Sequence, residues 1–555
     1  MILGLDVGGT QTDAVLIDGD RIVVATKTPS GDDLLDTLRS SIIRTLADVD
    51  PDRIRRMAFS TTLATNTIVQ DRLEDAGMIV SAGPGMDPEW FSLGPSYHVV
   101  EGCLDHQGLE VKPVDIASVI EAASEIRAAN IRVAGVVSKF SVRNPLHELQ
   151  IKEQVADLFS HTALGHQASG ALNFPRRITT TYLNAALYTV HHQFSSALVQ
   201  ILNERGLFSP RYLLKPDGGT VDLDKSIGSP AHTAQSGPAA SVMGALALDG
   251  CEGTTLVLDI GGTTTDMSIV LDGIPLLNPH GIRLGPFQTL IRSLLTHSLG
   301  AGGDSEVRGG KGGVLRVGPL RRGRPVAFGG PAPTPTDAMI TLGLLKAGNI
   351  DLARQTMEQL GSTLGWDAIT TAERVLQALA ETIADSANAF LHEINSQPVY
   401  TIHEVLKDQR IVPTSLLIIG GPAPYMTEYL AGAFGLPHRV PDHFGVANAV
   451  GAAVARVTTA ITLQADTERG SVIIPEAGIQ NRIDPGFAMK EAIALGTKVL
   501  RQQSLQVGAG QDRPEVSITE RQEFNMIRGF SRMGRNIRLE MCITPGLVPE
   551  WKRRG

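Results

Sequence analysis

No run of apolar residues in this 555-residue chain is long enough for a membrane helix, and Met1 opens directly into a strand-like segment, so a cytoplasmic location is expected. Cysteines are scarce. Cys103, Cys251 and Cys542 stand far apart with no Cys-x-x-Cys pair, which leaves neither a zinc framework nor a disulfide scaffold. Basic residues are outnumbered, 49 Lys and Arg against 58 Asp and Glu, and the net charge of −9 argues against nucleic acid as the main partner. The basic tail from Arg521 to Arg554 is interleaved with Glu523, Glu540 and Glu550 and reads as a coated surface. Low-complexity segments and short-period repeats are missing as well. What is there is 42% hydrophobic residues and 58 glycines, in a chain long enough to bury cores in two or more domains.

Two copies of one motif organise the rest. Asp6-Val7-Gly8-Gly9-Thr10-Gln11-Thr12-Asp13 and Asp259-Ile260-Gly261-Gly262-Thr263-Thr264-Thr265-Asp266 lie 253 residues apart and are identical at six of eight positions. Each follows an apolar run and leads into another, so each reads as strand, tight glycine turn, strand. Paired glycines admit positive φ and bring backbone N–H groups close to an anion with no side chain in the way. The threonines add hydroxyl donors, and an aspartate at a strand end can hold Mg²⁺ through its waters beside phosphates. An ordinary hairpin turn, which recruits Asp and Gly anyway, competes for either copy alone. Two copies with matching strands favour a pair of phosphate clamps. A strand follows the glycines where a Walker loop or Rossmann fingerprint would place a helix, so turn amides would hold the anion.

A third element, Ser415-Leu416-Leu417-Ile418-Ile419-Gly420-Gly421, is a buried strand ending in two glycines that would let the chain pass close under a base or ribose. After it, residues 443–453 read as a small-residue helix able to pack between two halves. Two phosphate turns, a Gly-Gly strand and a small-residue helix follow the order of the actin, Hsp70 and sugar-kinase superfamily. The expected fold is therefore α/β, with two actin-like (ribonuclease H-like) halves around a nucleotide cleft and a small C-terminal β-rich region.

Within that superfamily the chain resembles the hydantoinase A and 5-oxoprolinase family over roughly residues 1–455. Beyond the turns the resemblance rests on Ser60-Thr61-Thr62-Leu63-Ala64-Thr65-Asn66, Asn144-Pro145-Leu146-His147-Glu148, Arg177 with Thr181 and Asn184-Ala185, Gln235-Ser236-Gly237-Pro238, Gly300-Ala301-Gly302-Gly303 and Pro335-Thr336-Asp337-Ala338. It implies ATP-dependent opening of a cyclic amide such as a hydantoin or 5-oxoproline. Phosphorylation would turn the amide oxygen of an unstrained, poorly electrophilic lactam into a leaving group, with Mg²⁺ and turn amides taking the charge of transfer. The resemblance also implies a hydantoinase B-type partner subunit, and relatives that serve ketone carboxylases keep that chemistry open. A nucleotide-gated binding protein is a further alternative, and homo-oligomerisation is left open.

Residue roles follow. Asp6 and Asp259 are expected to hold Mg²⁺ and position water. Gly8, Gly9, Thr10 and Thr12, with Gly261, Gly262, Thr263 and Thr265, would form the phosphate clamps, and Gly420 and Gly421 would flank adenosine. Asp13 and Asp266 either orient water or Mg²⁺ or accept the turns' own N–H groups. Thr61, Thr62 and Asn66 stand where the resemblance implies a substrate or phosphate contact on a loop facing the cleft, against helix capping by Ser60 or Thr61. His147 and Glu148 would be a substrate-side base pair or a helix N-terminus with a favourable acid.

Three regions are expected: residues 1–172, residues 173–455 with a glycine- and arginine-rich insertion at 300–335, and a shortened region 456–555. Helices are expected near 117–129, 180–205, 373–394 and 490–500. Two departures from the family pattern stand out. Asp304-Ser305-Glu306 brings carboxylates into a glycine loop expected to be neutral, and Arg321-Arg322-Gly323-Arg324 stands where a serine-alanine-glycine segment is usual. An intruding carboxylate could repel phosphate or bind metal, and the arginines read as a solvated loop or an anion clamp.

Overall fold

The computed structural model describes every residue except 10, 32, 279, 310–313, 363–364, 397–409, 510–514, 529–530 and 552–555. The first apolar runs form a meander of β1 (Ile2–Val7), β2 (Gln11–Asp18) and β3 (Arg21–Pro29), followed by α1 (Leu34–Thr45). Asp33 starts α1 by accepting the Leu35 and Asp36 amides, two of the donors a helix start leaves unpaired. β4 (Arg56–Thr61) pairs in parallel with β1 and runs into α2 (Leu63–Val69).

A second layer is then inserted. β5 (Ala76–Ser81), β6 (Ser96–Val99), α3 (Ile116–Ala128), β7 (Val133–Ser138), α4 (Leu146–Val155) and β8 (His161–Leu164) build a parallel sheet in the order β8-β7-β5-β6. Every residue of β5 and β7 is buried, as befits strands covered on both faces. The helix expected at 180–205 is in fact two, α5 (Phe174–Ala186) and α6 (Tyr188–Asn203). The Glu74 carboxylate accepts the Thr189 amide at 2.9 Å, so a side chain enters the ladder at the break.

The chain then returns to the first sheet as β9 (Arg211–Leu214) and β10 (Thr220–Asp222), giving the order β10-β9-β4-β1-β2-β3, before α7 (Ser236–Asp249). β9 pairs with β4, so the sheet of the first half takes strands from beyond residue 173.

The second half repeats the scheme with β11 (Thr254–Ile260), β12 (Thr265–Leu271), β13 (Ile274–Pro275), β14 (Thr296–Leu299), α8 (Pro335–Thr341), α9 (Ile350–Ser362), α10 (Ala368–Ser396), β15 (Ser415–Ile419), α11 (Ala423–Phe434), β16 (His438–Arg439) and α12 (Ala447–Val454). Its order is β13-β12-β11-β15-β16, with β14 also on β12. An antiparallel meander continued by parallel strands occurs in both halves, which is the actin-like, ribonuclease H-like arrangement. The last region is more regular than its short β-like runs promise. β17 (Ala460–Asp466), β18 (Ser471–Ile474), β19 (Ile479–Arg482), α13 (Met489–Gln506), β20 (Val516–Arg528) and β21 (Ser531–Ile543) form an antiparallel sheet backed by α13, in the order β19-β18-β17-β21-β20. Among the described residues no helix is long and apolar enough to cross a membrane.

Strand alternation decides which side chains face the middle. Leu3, Leu5 and Val7 of β1 pack outward on α1 and α6, while Ile2 faces α12 with Val15 and Ile17 of β2. Gly4 lies on that same inner face, where a Cβ would stand 2.5 Å from the Ala449 carbonyl oxygen of α12. α12 and α7 cross just as closely. A Cβ on Gly244 would stand 2.0 Å from the Ala447 oxygen, and one on Gly451 would stand 2.1 Å from the Ala240 oxygen.

Gly244→Ala and Gly451→Ala should each lower stability in urea unfolding by ~1–3 kcal/mol, because backbone cannot yield as a side chain does. The gain of up to ~1 kcal/mol from better helix propensity will not offset that. Gly432→Ala, in exposed α11 with nothing within 4 Å of the new Cβ, should instead raise stability by ~0.5–1 kcal/mol.

Candidate functional site

The two glycine turns close identically: the Gly8 amide donates to the Gln11 carbonyl at 3.1 Å and the Gly261 amide to the Thr264 carbonyl at 2.9 Å. Strand register then sets Asp6 opposite Asp13 and Asp259 opposite Asp266, so each turn carries one carboxylate on either strand. Gly9 has nothing within 4 Å of a Cβ and lies open. Thr10 lies outside the described residues, and Thr263 is exposed at the tip. Thr12 and Thr265 depart from the expectation. They pair with Val7 and Ile260, fully buried on the opposite sheet faces from the aspartates, and Thr265 donates to the Ala301 carbonyl at 2.7 Å. A period of two turns their hydroxyls away from the cleft.

The four aspartates meet where the halves meet. Burial and the charges of Asp13 and Asp259 push the Asp6 carboxyl up to about 7 against a hydrogen bond from Ser60. Burial, and then Asp259, raise Asp266 to about 6. Asp13 and Asp259 are also raised, chiefly by burial. Two residues of the buried helices reach in. Ser241 of α7 donates to Asp259 at 2.5 Å, and the Asn448 amide of α12 lies 3.3 Å from the same oxygen while also hydrogen-bonding Asp6. Asn448 thus ties the two turns together. Lys27 of β3 bridges the halves as well, 3.3 Å from Asp13 and donating to the Gly445 carbonyl at 2.5 Å. Sequence reading gave no role to Lys27, Ser241 or Asn448, and took Ser60 only as part of a cleft-facing stretch or as a helix cap. A position-by-position match of β3 to the turn motif, Lys27 opposite Asp13, would have pointed to the first.

Carboxylates whose charge is disfavoured by burial, with one lysine among them, gain from a divalent cation bound by one or two of them and completed by water and phosphate oxygens. No group of three or more His, Cys, Asp or Glu able to hold a metal by itself occurs among the described residues. The open space over Gly9 and Gly421 suits backbone approach to a nucleotide. Gly420 has a local role as well. It has φ of +92°, and a Cβ there would stand 2.3 Å from the Ile260 carbonyl oxygen and 2.6 Å from the Asp259 carboxylate, so it makes room for the end of β11. At the N-terminus of α7, Ser236 hydrogen-bonds Ser60 at 3.1 Å and Gly237 is open, which presents unpaired amides to the same region.

The glycine-rich loop lies directly on the second turn. Gly303 and Asp304 donate their amides to the Gly261 and Gly262 carbonyls at 2.9 and 2.6 Å. Asp304 is not bare, since Thr336 donates to it at 3.0 Å and Arg321 pairs with it at 3.3 Å. Arg322 pairs with Glu306 at 3.1 Å. The arginine run is therefore not a free solvated loop: two of its members answer the two intruding carboxylates.

The expected substrate contacts divide. Residues 60–66 are no loop. Ser60 and Thr61 end β4, and Leu63–Asn66 already belong to α2, with the Thr61 hydroxyl accepting the Leu63 amide and that of Thr62 accepting from the Asn66 side chain. Thr61 also hydrogen-bonds Ser236, so this segment is joined to the α7 start in the cleft region. Of the two readings of His147 and Glu148, the helix N-terminus is the one found: both lie in the first turn of α4, with Glu148 as its acid, and both are buried within the inserted layer. The Glu148 carboxylate accepts the Ser138 and His166 amides and pairs with His166 Nδ1 at 2.6 Å, while His147 faces Glu110 at 3.0 Å. Burial opposes the Glu148 charge, yet His166 and Arg177 hold it below the usual carboxylate range. Helix packing, which sequence spacing does not reveal, enclosed them.

Comparison with known proteins agrees with this geometry. The sequence profile of the hydantoinase/oxoprolinase N-terminal region matches residues 2–159, and the hydantoinase/oxoprolinase profile matches residues 177–461, just over half the chain. An uncharacterized protein of Methanocaldococcus jannaschii is 24% identical over 86% of this chain and 76% of its own length. Caprolactamase subunit alpha of Pseudomonas jessenii is 25% identical over 75% of this chain, which spans only 64% of that subunit. In structure, the ATP-dependent caprolactamase of Pseudomonas jessenii superposes with a TM-score of 0.72 at 19% identity, covering 98% of this chain and 87% of that one. Nucleotide-free acetone carboxylase gives 0.70 at 17% identity, covering 100% and 88%. Those two likenesses establish a shared fold. With both profiles matched in sequence order, the chain belongs to the hydantoinase/oxoprolinase family.

Proposed function

We propose that this chain is the ATP-using subunit of an enzyme that opens a cyclic amide or imide, a hydantoin, 5-oxoproline or a related lactam. The observation that carries the reading is the pair of matched turns whose aspartates Asp6 and Asp259 are joined through Asn448 at the meeting of the halves. Bound there, Mg²⁺ and ATP would supply the phosphoryl group that makes an amide oxygen a leaving group. The chain's own part is to seat phosphates at the two glycine turns on the amides of Gly9 and Gly262, since those of Gly8 and Gly261 close the turns, to hold Mg²⁺ at Asp6 and Asp259, and to offset charge with Lys27. Asp13 and Asp266 flank them to orient water. A hydantoinase B-type subunit would supply the hydrolytic half. The likeness to the ATP-dependent caprolactamase of Pseudomonas jessenii supports the lactam.

The full-length structural likeness to acetone carboxylase favours one second reading, the ATP-using subunit of a ketone carboxylase. Phosphate release from ATP by the chain with its partner subunit separates them. Stimulation by a cyclic amide supports the first, bicarbonate-dependent stimulation by a ketone supports the second, and stimulation by neither rejects both.

Asp6→Asn and Asp259→Asn should each lower ATP turnover at least ~100-fold, the scale of a preorganised charge contact, and unchanged turnover would remove them from the site. Lys27→Ala should weaken ATP binding by roughly tenfold, read by calorimetry, as expected of one charge-assisted contact.

The raised Asp6 carboxyl makes pH a second handle. Turnover should climb from pH 6 to 8 as Asp6 ionises around its value of about 7. Because its pKa is raised on folding, the linked stability is complete below the unfolded value and is lost as pH rises through the folded one. Asp6→Asn should therefore raise the melting temperature of the nucleotide-free chain at pH 8 and leave it nearly unchanged at pH 4. An equal shift at both would contradict the assignment.

A further inference from the structure

Asp304 brings a carboxylate to the face of the second turn: its Oδ2 lies 2.9 Å from where a Cβ on Gly262 would be. The loop that carries it cannot drift away, because the Gly303 and Asp304 amides are bonded to the turn's own carbonyls. An anion seated on the second turn at the Gly262 amide would meet that carboxylate at close range, where like charges repel strongly. The compensating cation is in place. Arg321 Nη2 lies 3.3 Å from Asp304 Oδ2, and its Nε donates to the Gly323 carbonyl at 3.2 Å. That contact is long and single, and the remaining guanidinium N–H donors have no partner among the described residues.

The position of Arg321 does not depend on Asp304 alone. Its neighbour Arg322 pairs with Glu306, and the Glu306 amide donates to the Leu320 carbonyl at 2.8 Å, so the arginine segment is anchored from both sides of the pair. Thr336 holds the other oxygen of Asp304 and the Gly303 carbonyl, which fixes the carboxylate at the start of α8. The result is a fixed acid against the second turn and, paired with it, a tethered arginine with spare donors. Side-chain exposures of 30% for Arg321 and 23% for Asp304 leave the pair reachable from the open side.

We propose that Arg321 is a binding residue for the terminal phosphate of a nucleoside triphosphate on the second turn, held beside its site by Asp304 until the anion arrives. This rests on the reading of the two turns as a nucleotide site. Such a residue discriminates triphosphate from diphosphate, because a diphosphate leaves the third phosphate position empty. Asp304 acts as a positioning residue that competes with the phosphate for the guanidinium.

Calorimetric titration of the full chain with Mg²⁺-ATP and Mg²⁺-ADP tests it. Arg321→Ala should weaken ATP by roughly tenfold or more and ADP by less than about twofold, the difference being one charge-assisted contact. Arg321→Lys should recover part of the loss, and Asp304→Asn should tighten ATP by releasing the guanidinium. Equal losses for ATP and ADP in Arg321→Ala, or none, would overturn the proposal while leaving the nucleotide site standing. Weaker ATP binding in Asp304→Asn would overturn the competing role of the acid. Failure of the unaltered chain to bind either nucleotide would reject the nucleotide reading of the turns and this proposal with it.

Discussion

The crossing of α7 and α12 is the contact on which the rest of this molecule depends. Neither helix is held by large side chains there; backbone meets backbone at Gly244 and Gly451, and Gly4 lets β1 come equally close to α12. Protein interiors tolerate little change in such places, since packing is already near crystal density. The approach has a consequence at the far end of the same strands. β1 and β11 each carry an aspartate as the last residue but one, on the inner face, and the helices that touch those strands supply Ser241 and Asn448 to the same aspartates. Close packing and the candidate chemistry are two ends of one arrangement.

That arrangement is electrostatically costly. Four carboxylates are drawn together in low-dielectric surroundings, all with pKa values pushed upward, and Lys27 is the cation paired with them. Sites that perturb carboxylates in this way are more often functional than structural. The inserted layer shows the contrast. Glu148 is buried more deeply, yet two amides, His166 and Arg177 satisfy it and lower its pKa, as a structural carboxylate requires.

The departures at 304–306 and 321–324 make sense only as a pair. Read separately, an acid beside a phosphate turn threatens function, and an arginine run is surface charge. In space Asp304 meets Arg321 and Glu306 meets Arg322 across a short bend of chain. The charge added to the glycine loop is balanced by the charge added to the neighbouring segment, so the loop can sit on the turn at Gly261 and Gly262 without leaving an unpaired charge against it.

Much of the fold was legible because it is written in local patterns. Duplicated Asp-x-Gly-Gly-Thr turns between apolar runs specify strand, turn and strand twice over, and the small residues of 443–453 specify a helix that must be approached closely. Family membership followed from the order of such motifs. What could not be read was everything decided by partners distant in sequence. Strand alternation buried Thr12 and Thr265, packing of α4 and α5 enclosed His147 and Glu148, and the Glu74 side chain divided a helix that periodicity alone would have continued. The sequence by itself determined the elements, the duplication and the four aspartates, because these depend on neighbours in the chain. Only the tertiary structure decided that Asn448 joins the two turns, that β9 belongs to the first sheet and that Arg321 pairs with the acid lying on the second turn, because each depends on a contact between residues whose separation along the chain carries no signal.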